Sequence, residues 1–104
     1  ALHICGDNSH LLKSIKMLKV DVVQIDSPVD LKFARKIIED KCLLGNIDTN
    51  LLKRGCKKDI VNIVKKCLED GGDTLFILST GCEVVRDTPP QNIIYMIEAG
   101  RGLI

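Results

Sequence analysis

Thr74-Leu75-Phe76-Ile77-Leu78, followed by Ser79-Thr80-Gly81 and then Cys82, is the stretch on which the fold turns. A short apolar run with Gly71-Gly72 before it and small residues after it reads as a buried strand. Its exit delivers a cysteine. The start of the chain repeats the arrangement with His3-Ile4-Cys5. In an extended segment, side chains two apart share a face, so His3 and Cys5 project side by side. Imidazole nitrogen and thiolate sulfur are the ligands zinc prefers, and three protein ligands with an open fourth position mark a catalytic zinc site. Cysteine is also commonly buried as a small hydrophobe. The residue types alone therefore leave two readings open, a ligand trio or ordinary core packing. Convergence requires that the two strands lie in one parallel sheet.

On the N-terminal side of this stretch and beyond it, strand-like and helix-like patterns alternate. After the first strand, Asp7-Asn8-Ser9 offers caps to a helix over His10 to Lys19, with Leu11, Leu12, Ile15 and Leu18 as its apolar stripe. Val20 to Ile25 is a second strand, apolar enough to be covered on both faces. Asp30 caps a helix reaching Glu39 that buries Leu31, Ala34, Ile37 and Ile38. Cys42-Leu43-Leu44 forms a third strand, and Leu51 to Arg54 a helical turn. A longer helix over Lys57 to Glu69 turns Ile60, Ile63, Val64, Cys67 and Leu68 inward, and Gly71-Gly72 ends it. Past the fourth strand, Thr88 is the expected N-cap of a last helix, with Pro89 at its first position, Gln91 completing a capping box, and Ile93, Ile94 and Ile97 facing in. Four successive βα units imply an α/β fold with parallel strands and right-handed crossovers.

The polar candidates collect at strand exits. Asp26 follows the second strand, where a carboxylate serves equally as a partner of metal or substrate and as the cap of the turn before Pro28. Asn46 and Asp48, in Gly45-Asn46-Ile47-Asp48, follow the third. Asp26, Asn46 and Asp48 are the candidate substrate-binding residues, beside the candidate ligands His3, Cys5 and Cys82. Arg86 and Asp87 lie on a loop of the kind that contacts substrates. Cys42, Cys56 and Cys67 have no ligand spacing and read as packing or surface residues, and His10 as a solvated helix residue.

Composition narrows the function classes. The 104 residues, 45% hydrophobic, suit one small domain burying roughly 65% of its unfolded surface. A net charge of +1 with interspersed signs, and Phe33, Phe76 and Tyr95 as the whole aromatic content, give no nucleic-acid footprint. No apolar run reaches the length of a membrane span. Five cysteines without compact secreted spacing fit a reduced, cytoplasmic setting. Neither Gly-x-Gly-x-x-Gly nor the phosphate-binding Gly-x-x-x-x-Gly-Lys-Ser/Thr is present, which weakens nucleotide-binding readings.

The segments His3-Ile4-Cys5-Gly6-Asp7, Ile25-Asp26, Gly45-Asn46-Ile47-Asp48, Gly81-Cys82-Glu83 and Thr88-Pro89-Pro90-Gln91-Asn92 together resemble the C-terminal part of the uroporphyrinogen decarboxylase superfamily. Within it they are most similar to the methylcobamide:coenzyme M methyltransferases, a branch marked by a His-x-Cys pair, a long spacer and a third Cys; here 76 residues separate Cys5 from Cys82. The resemblance implies the C-terminal half of a TIM (β/α)8 barrel, in which catalysis sits at the C-terminal strand ends, where all six candidate residues fall. It implies Zn2+ held by His3, Cys5 and Cys82, coenzyme M as the thiol substrate, and a methylated corrinoid carried by a partner protein. Asp7 and His10 do not match the Asp-x-His-x-x-Gly pattern of the corrinoid carriers themselves. Residues 1–104 are expected to be a half-barrel piece of a larger enzyme, relying on an N-terminal barrel half. Alone, the piece is expected to form a homodimer, with Ile4 and Phe76 facing the empty interior. Two alternatives stand beside this reading. One is the metal-independent uroporphyrinogen decarboxylase, whose branch resembles Asn-Leu-Gly-His-Gly where this chain has Ser79-Thr80-Gly81-Cys82-Glu83. The other is a non-catalytic half-barrel module.

Overall fold

A computed structural model describes all 104 residues. Four strands, β1 (Leu2–His3), β2 (Val22–Ile25), β3 (Cys42–Ile47) and β4 (Phe76–Thr80), form one parallel sheet in the order β1-β2-β3-β4. Five helices connect and follow them: α1 (Leu12–Lys16), α2 (Leu31–Ile37), α3 (Thr49–Arg54), α4 (Lys57–Gly71) and α5 (Pro90–Gly100). Register runs Leu2↔Val23 between β1 and β2, Val22↔Cys42 between β2 and β3, and Leu43↔Phe76 between β3 and β4. Strands paired in chain order, each followed by a helix, are the α/β arrangement of half a (β/α)8 barrel.

Side chains alternate across a strand, and burial alternates with them. Val23, Ile25, Leu43 and Ile47 are buried against the helices, together with Leu12, Ile15, Ala34, Ile38, Leu52, Ile60 and Val64. The opposite face stays open: Val22, Gln24 and Leu44 are only half-buried and Ile77 is 51% exposed. The expectation that β2 is covered on both faces therefore does not hold in this chain, because its helices form a single layer. Phe76 also departs from expectation. It packs on the helix side, where a Cβ on Gly71 would come within 2.7 Å of three Phe76 ring carbons, so Ile77 takes the open face. Leu75, held at φ +56, fixes where β4 begins.

Two cations tie down the N-terminal ends of the strands. Arg35 donates to the carbonyls of Gly71, Ile38, Lys41 and Leu75, and the Lys41 ammonium donates to Leu18 O at 2.7 Å and Val20 O at 2.9 Å. The second tie shortens the first helix. In place of one helix over residues 10–19, a 3-10 turn (Ser9–Leu11) leads into α1, which stops at Lys16. Leu11 and Leu18 are consequently exposed while Leu12 and Ile15 are buried.

Asp30 caps α2 as expected, accepting from Lys32 N at 3.0 Å and Phe33 N at 3.4 Å. α5 starts one residue later than expected, with Pro89 as N-cap and Pro90 in the first turn. The Thr88 hydroxyl is used elsewhere, donating to Val85 O at 2.6 Å. α5 is also rotated from its expected stripe, with Asn92 and Ala99 buried and Ile94 and Ile97 at 44% and 43% exposure. The Asn92 amide sets that rotation by donating to Leu52 O at 2.8 Å and Gly55 O at 3.3 Å, satisfying carbonyls at the end of α3.

Candidate metal centre

His3 ends β1 and Cys5 follows two residues later; Cys82 follows the end of β4 by two residues. These strands are the two edges of the sheet, yet their exit loops meet. The His3 Nε2–Cys5 Sγ distance is 3.0 Å, Cys5 Sγ–Cys82 Sγ 3.3 Å and Cys82 Sγ–His3 Nε2 3.7 Å. His3 and Cys5 are exposed and Cys82 is half-buried, so the triangle opens to solvent on one side.

The donor set suits zinc. With Zn–S near 2.3 Å and Zn–N near 2.1 Å, tetrahedral ligand atoms sit about 3.6–3.8 Å apart, so the two Cys5 sides of the triangle need about half an ångström of expansion to hold the ion and the Cys82–His3 side already fits. One imidazole nitrogen and two thiol sulfurs would leave a fourth position free on the open side. Without a cation, the charges oppose ionisation: the hydrogen bond with Cys82 raises the Cys5 thiol pKa above its ordinary value. Desolvation and the negative charges at Cys82, Asp26 and Glu83 add to the rise. A bound cation reverses that balance, since it favours thiolate over thiol.

Buried polar groups hold the loops that carry the three residues. Asp26, at the end of β2, accepts from Gly6 N at 2.8 Å and from Ser27 N at 2.7 Å. Asn8 donates to the carbonyl of Ile4 at 3.2 Å. Thr80 donates its hydroxyl to Cys82 O at 2.7 Å, while its own carbonyl accepts from Gln24 Nε2 at 3.0 Å. Gln24 thereby reaches from the open face of β2 across β3. The roles of Asn8, Gln24 and Thr80 were not visible in the chain's motifs. Only Gln24, the single polar residue in Val22-Val23-Gln24-Ile25, carries a mark that singles it out.

The remaining candidates lie at the C-terminal end of the sheet but outside the triangle. Asn46 is inside β3, longer than the expected three residues; its amide donates to Val29 O at 2.8 Å and its Oδ1 receives the Cys67 thiol at 3.5 Å. Asp48 is the N-cap of α3 and accepts from Asn50 N at 2.8 Å. Cys67 is buried as expected, and burial raises its thiol pKa. Cys56 joins Asp59 in a capping arrangement on α4, the Asp59 carboxylate accepting from Cys56 N at 3.1 Å. His10, Arg86 and Asp87 are exposed.

Known proteins resemble the chain over nearly its whole length. The family model "Uroporphyrinogen decarboxylase (URO-D)" matches residues 1–103. A methylcobamide:CoM methyltransferase of Methanosarcina acetivorans is 33% identical over 102 residues, 97% of this chain and 29% of that protein. A methylated-thiol–coenzyme M methyltransferase of Methanosarcina mazei is 34% identical over 100 residues, covering 94% of this chain and 26% of that protein. A uroporphyrinogen decarboxylase of Geotalea uraniireducens is 30% identical over 99 residues. A solved methyltransferase from Methanosarcina mazei superposes with a TM-score of 0.86 at 24% identity, over 96% of this chain and 30% of that one. The chain thus spans less than a third of the length of these methyltransferases. With the family model matching nearly every residue, the chain belongs to the uroporphyrinogen decarboxylase family.

Proposed function

We propose that this chain is the metal-binding C-terminal part of an enzyme that transfers a methyl group from a methylated corrinoid protein to the thiol of coenzyme M. The observation that carries the reading is the triangle of His3 Nε2, Cys5 Sγ and Cys82 Sγ, with every side between 3.0 and 3.7 Å. These three residues would hold Zn2+, which when bound lowers the pKa of a thiol, ordinarily about 8.5, and so supplies thiolate at neutral pH. The chain's own contribution is placement. His3 and Cys5 stand at the exposed rim, where an incoming thiol has access, and Cys82 closes the site from the far edge of the sheet. The likeness to methylcobamide:CoM methyltransferases supports the substrate assignment.

The reading extends to partners. An N-terminal barrel half would cover the open face carrying Gln24, Leu44 and Ile77, and the corrinoid protein would present its methyl group at the C-terminal strand ends. Two free cysteines at a working site suit the reducing cytoplasm, and no helix is long and apolar enough to cross a membrane.

Metal analysis joined to a methyl-transfer assay tests the proposal. The full-length protein is expected to purify with stoichiometric zinc and to methylate coenzyme M from a methylated corrinoid. A metal-free protein that decarboxylates uroporphyrinogen would overturn it in favour of the decarboxylase reading.

A further inference from the structure

The candidate ligands come from loops at opposite edges of a four-stranded sheet, and neither loop is held in place by the other's strand. Something between them must set their spacing. Asp26 occupies that place, at the end of β2, and is 9% exposed. Its Oδ2 accepts from the amide of Gly6, the residue after Cys5, at 2.8 Å. Its Oδ1 accepts from Ser27 N at 2.7 Å, which fixes the orientation of the carboxylate. The second loop rests on the same residue: a Cβ at Gly81, the residue before Cys82, would lie 2.9 Å from both Asp26 Cα and Oδ1 and 2.6 Å from Ser27 N. A carboxylate that only capped its local turn would need the Ser27 contact alone. The bond to Gly6 crosses from β2 to the loop after β1 and has no local purpose.

From this we infer that Asp26 is the positioning residue of the metal centre, seating the Cys5 loop and the Cys82 loop at the separation a single ion requires. The inference rests on the metal reading proposed above. The ligand atoms of His3, Cys5 and Cys82 lie within 4.8 Å of one another and no Asp26 oxygen joins that set, so Asp26 acts through the loops and is not itself a ligand. Partners that orient metal ligands are typically worth about 10–100-fold in metal affinity. Asp26→Asn keeps the side chain's shape but puts an NH2 group against one of the two amide donors, so one loop loses its seat.

The test is zinc competition against a chromophoric chelator, with Co2+ spectra recorded in parallel, on the full-length protein and its Asp26→Asn, Asp26→Ala and Asp30→Asn variants. Asp30→Asn makes the same chemical change at the cap of α2, away from the centre. The expected result is zinc binding about 10–100-fold weaker in both Asp26 variants and unchanged in Asp30→Asn. The cobalt–thiolate and ligand-field bands are expected to keep their energies, because the ligand set is the same. Zinc affinity within about twofold of wild type in both Asp26 variants would overturn the inference, since a positioning partner is worth more than that. So would equal weakening in Asp30→Asn, or a band shift marking the loss of a ligand. Failure of the wild-type protein to bind zinc would instead remove the metal reading itself, and this inference with it.

Discussion

The sulfur atoms of Cys5 and Cys82 lie 3.3 Å apart although the residues are 77 positions apart in the chain and belong to loops at opposite edges of the sheet. The loops leaving the two edge strands meet over the C-terminal ends of the strands, and the turn at Gly81 is part of that approach. The Gly81 amide donates to Ile47 O at 2.9 Å, leading the chain off β4 and over the end of β3. Proximity of this kind assigns different work to cysteines that look alike in composition.

Cys82→Ser in the full-length protein is expected to weaken zinc binding and nearly abolish thiol methylation, whereas Cys67→Ser is expected to leave both intact. Cys67 is buried on α4 and bonds to Asn46, so its replacement should cost about 1–2 kcal/mol of stability through the buried hydroxyl. Metal content, activity and chemical denaturation of the two variants separate these outcomes. Equal loss of activity in both would mean that Cys82 has no special role.

Gly81→Ala tests the spacing without replacing a ligand or Asp26. The new methyl group would meet Ser27 N and Asp26 at 2.6–2.9 Å, and backbone atoms at that range do not swing aside as a flexible side chain does. The loop bearing Cys82 should therefore lift from its seat. Weaker zinc binding with His3, Cys5 and Cys82 all present is the expected result, read by chelator competition. Wild-type affinity would show that the loop tolerates displacement.

Much of this architecture was legible in the chain because its signals were local. The four βα units follow from apolar runs alternating with helical stripes, and the cap at Asp30 lies where a short polar side chain precedes an apolar residue, whereas the cap at Asp48 is a role not foreseen from the sequence. What escaped depended on tertiary contacts. No stripe rule foresees that Asn92 would turn inward to serve the carbonyls of α3, leaving Ile94 and Ile97 outside. Nor does local pattern show that Lys41 would capture the carbonyls of Leu18 and Val20 and end α1 early. At the centre, the ligand types and strand-exit positions were visible in the residues, but their convergence was implied only by the family resemblance. That convergence depends on Asp26, which reaches the loop after β1, and on Gln24 and Thr80, which bond to each other across β3.

Asp59 supplies a pH-dependent contribution to α4. The amide and then the thiol of Cys56 hold its carboxyl below the ordinary value of 3.8. A depressed folded pKa adds stability that is fully present above the unfolded value and lost as pH falls through the lower folded one. Asp59→Asn should accordingly lower the thermal midpoint at pH 7, with the gap to wild type narrowing as the solution is acidified below 3.8. The carboxyl carbon resonance of Asp59 should titrate below a model aspartate. A gap that stays constant through that range would show that the carboxylate contributes no charge-dependent stability.

The isolated 104-residue chain is expected to self-associate. β1 pairs only with β2 and β4 only with β3, so both edges of the sheet lack a partner, and unpaired edges are templates for further pairing. Ile77 and Leu75 are 51% and 49% exposed near the β4 edge. If roughly 400 Å² of apolar surface per chain were covered, burial would yield about 10 kcal/mol gross at ~25 cal/mol per Å². Association entropy takes back at least several kcal/mol of that. A net charge of +1 does little to oppose contact. Two copies related by a two-fold axis are the simplest closed arrangement, pairing edges or packing open faces together. Light scattering on a size-exclusion column at about 100 μM should report a dimer, and adding the N-terminal barrel half should dissolve it into a heteromeric barrel. A monodisperse monomer under the same conditions would mean that the chain shields its own edges, and that the face bearing Gln24, Leu44 and Ile77 needs no second layer.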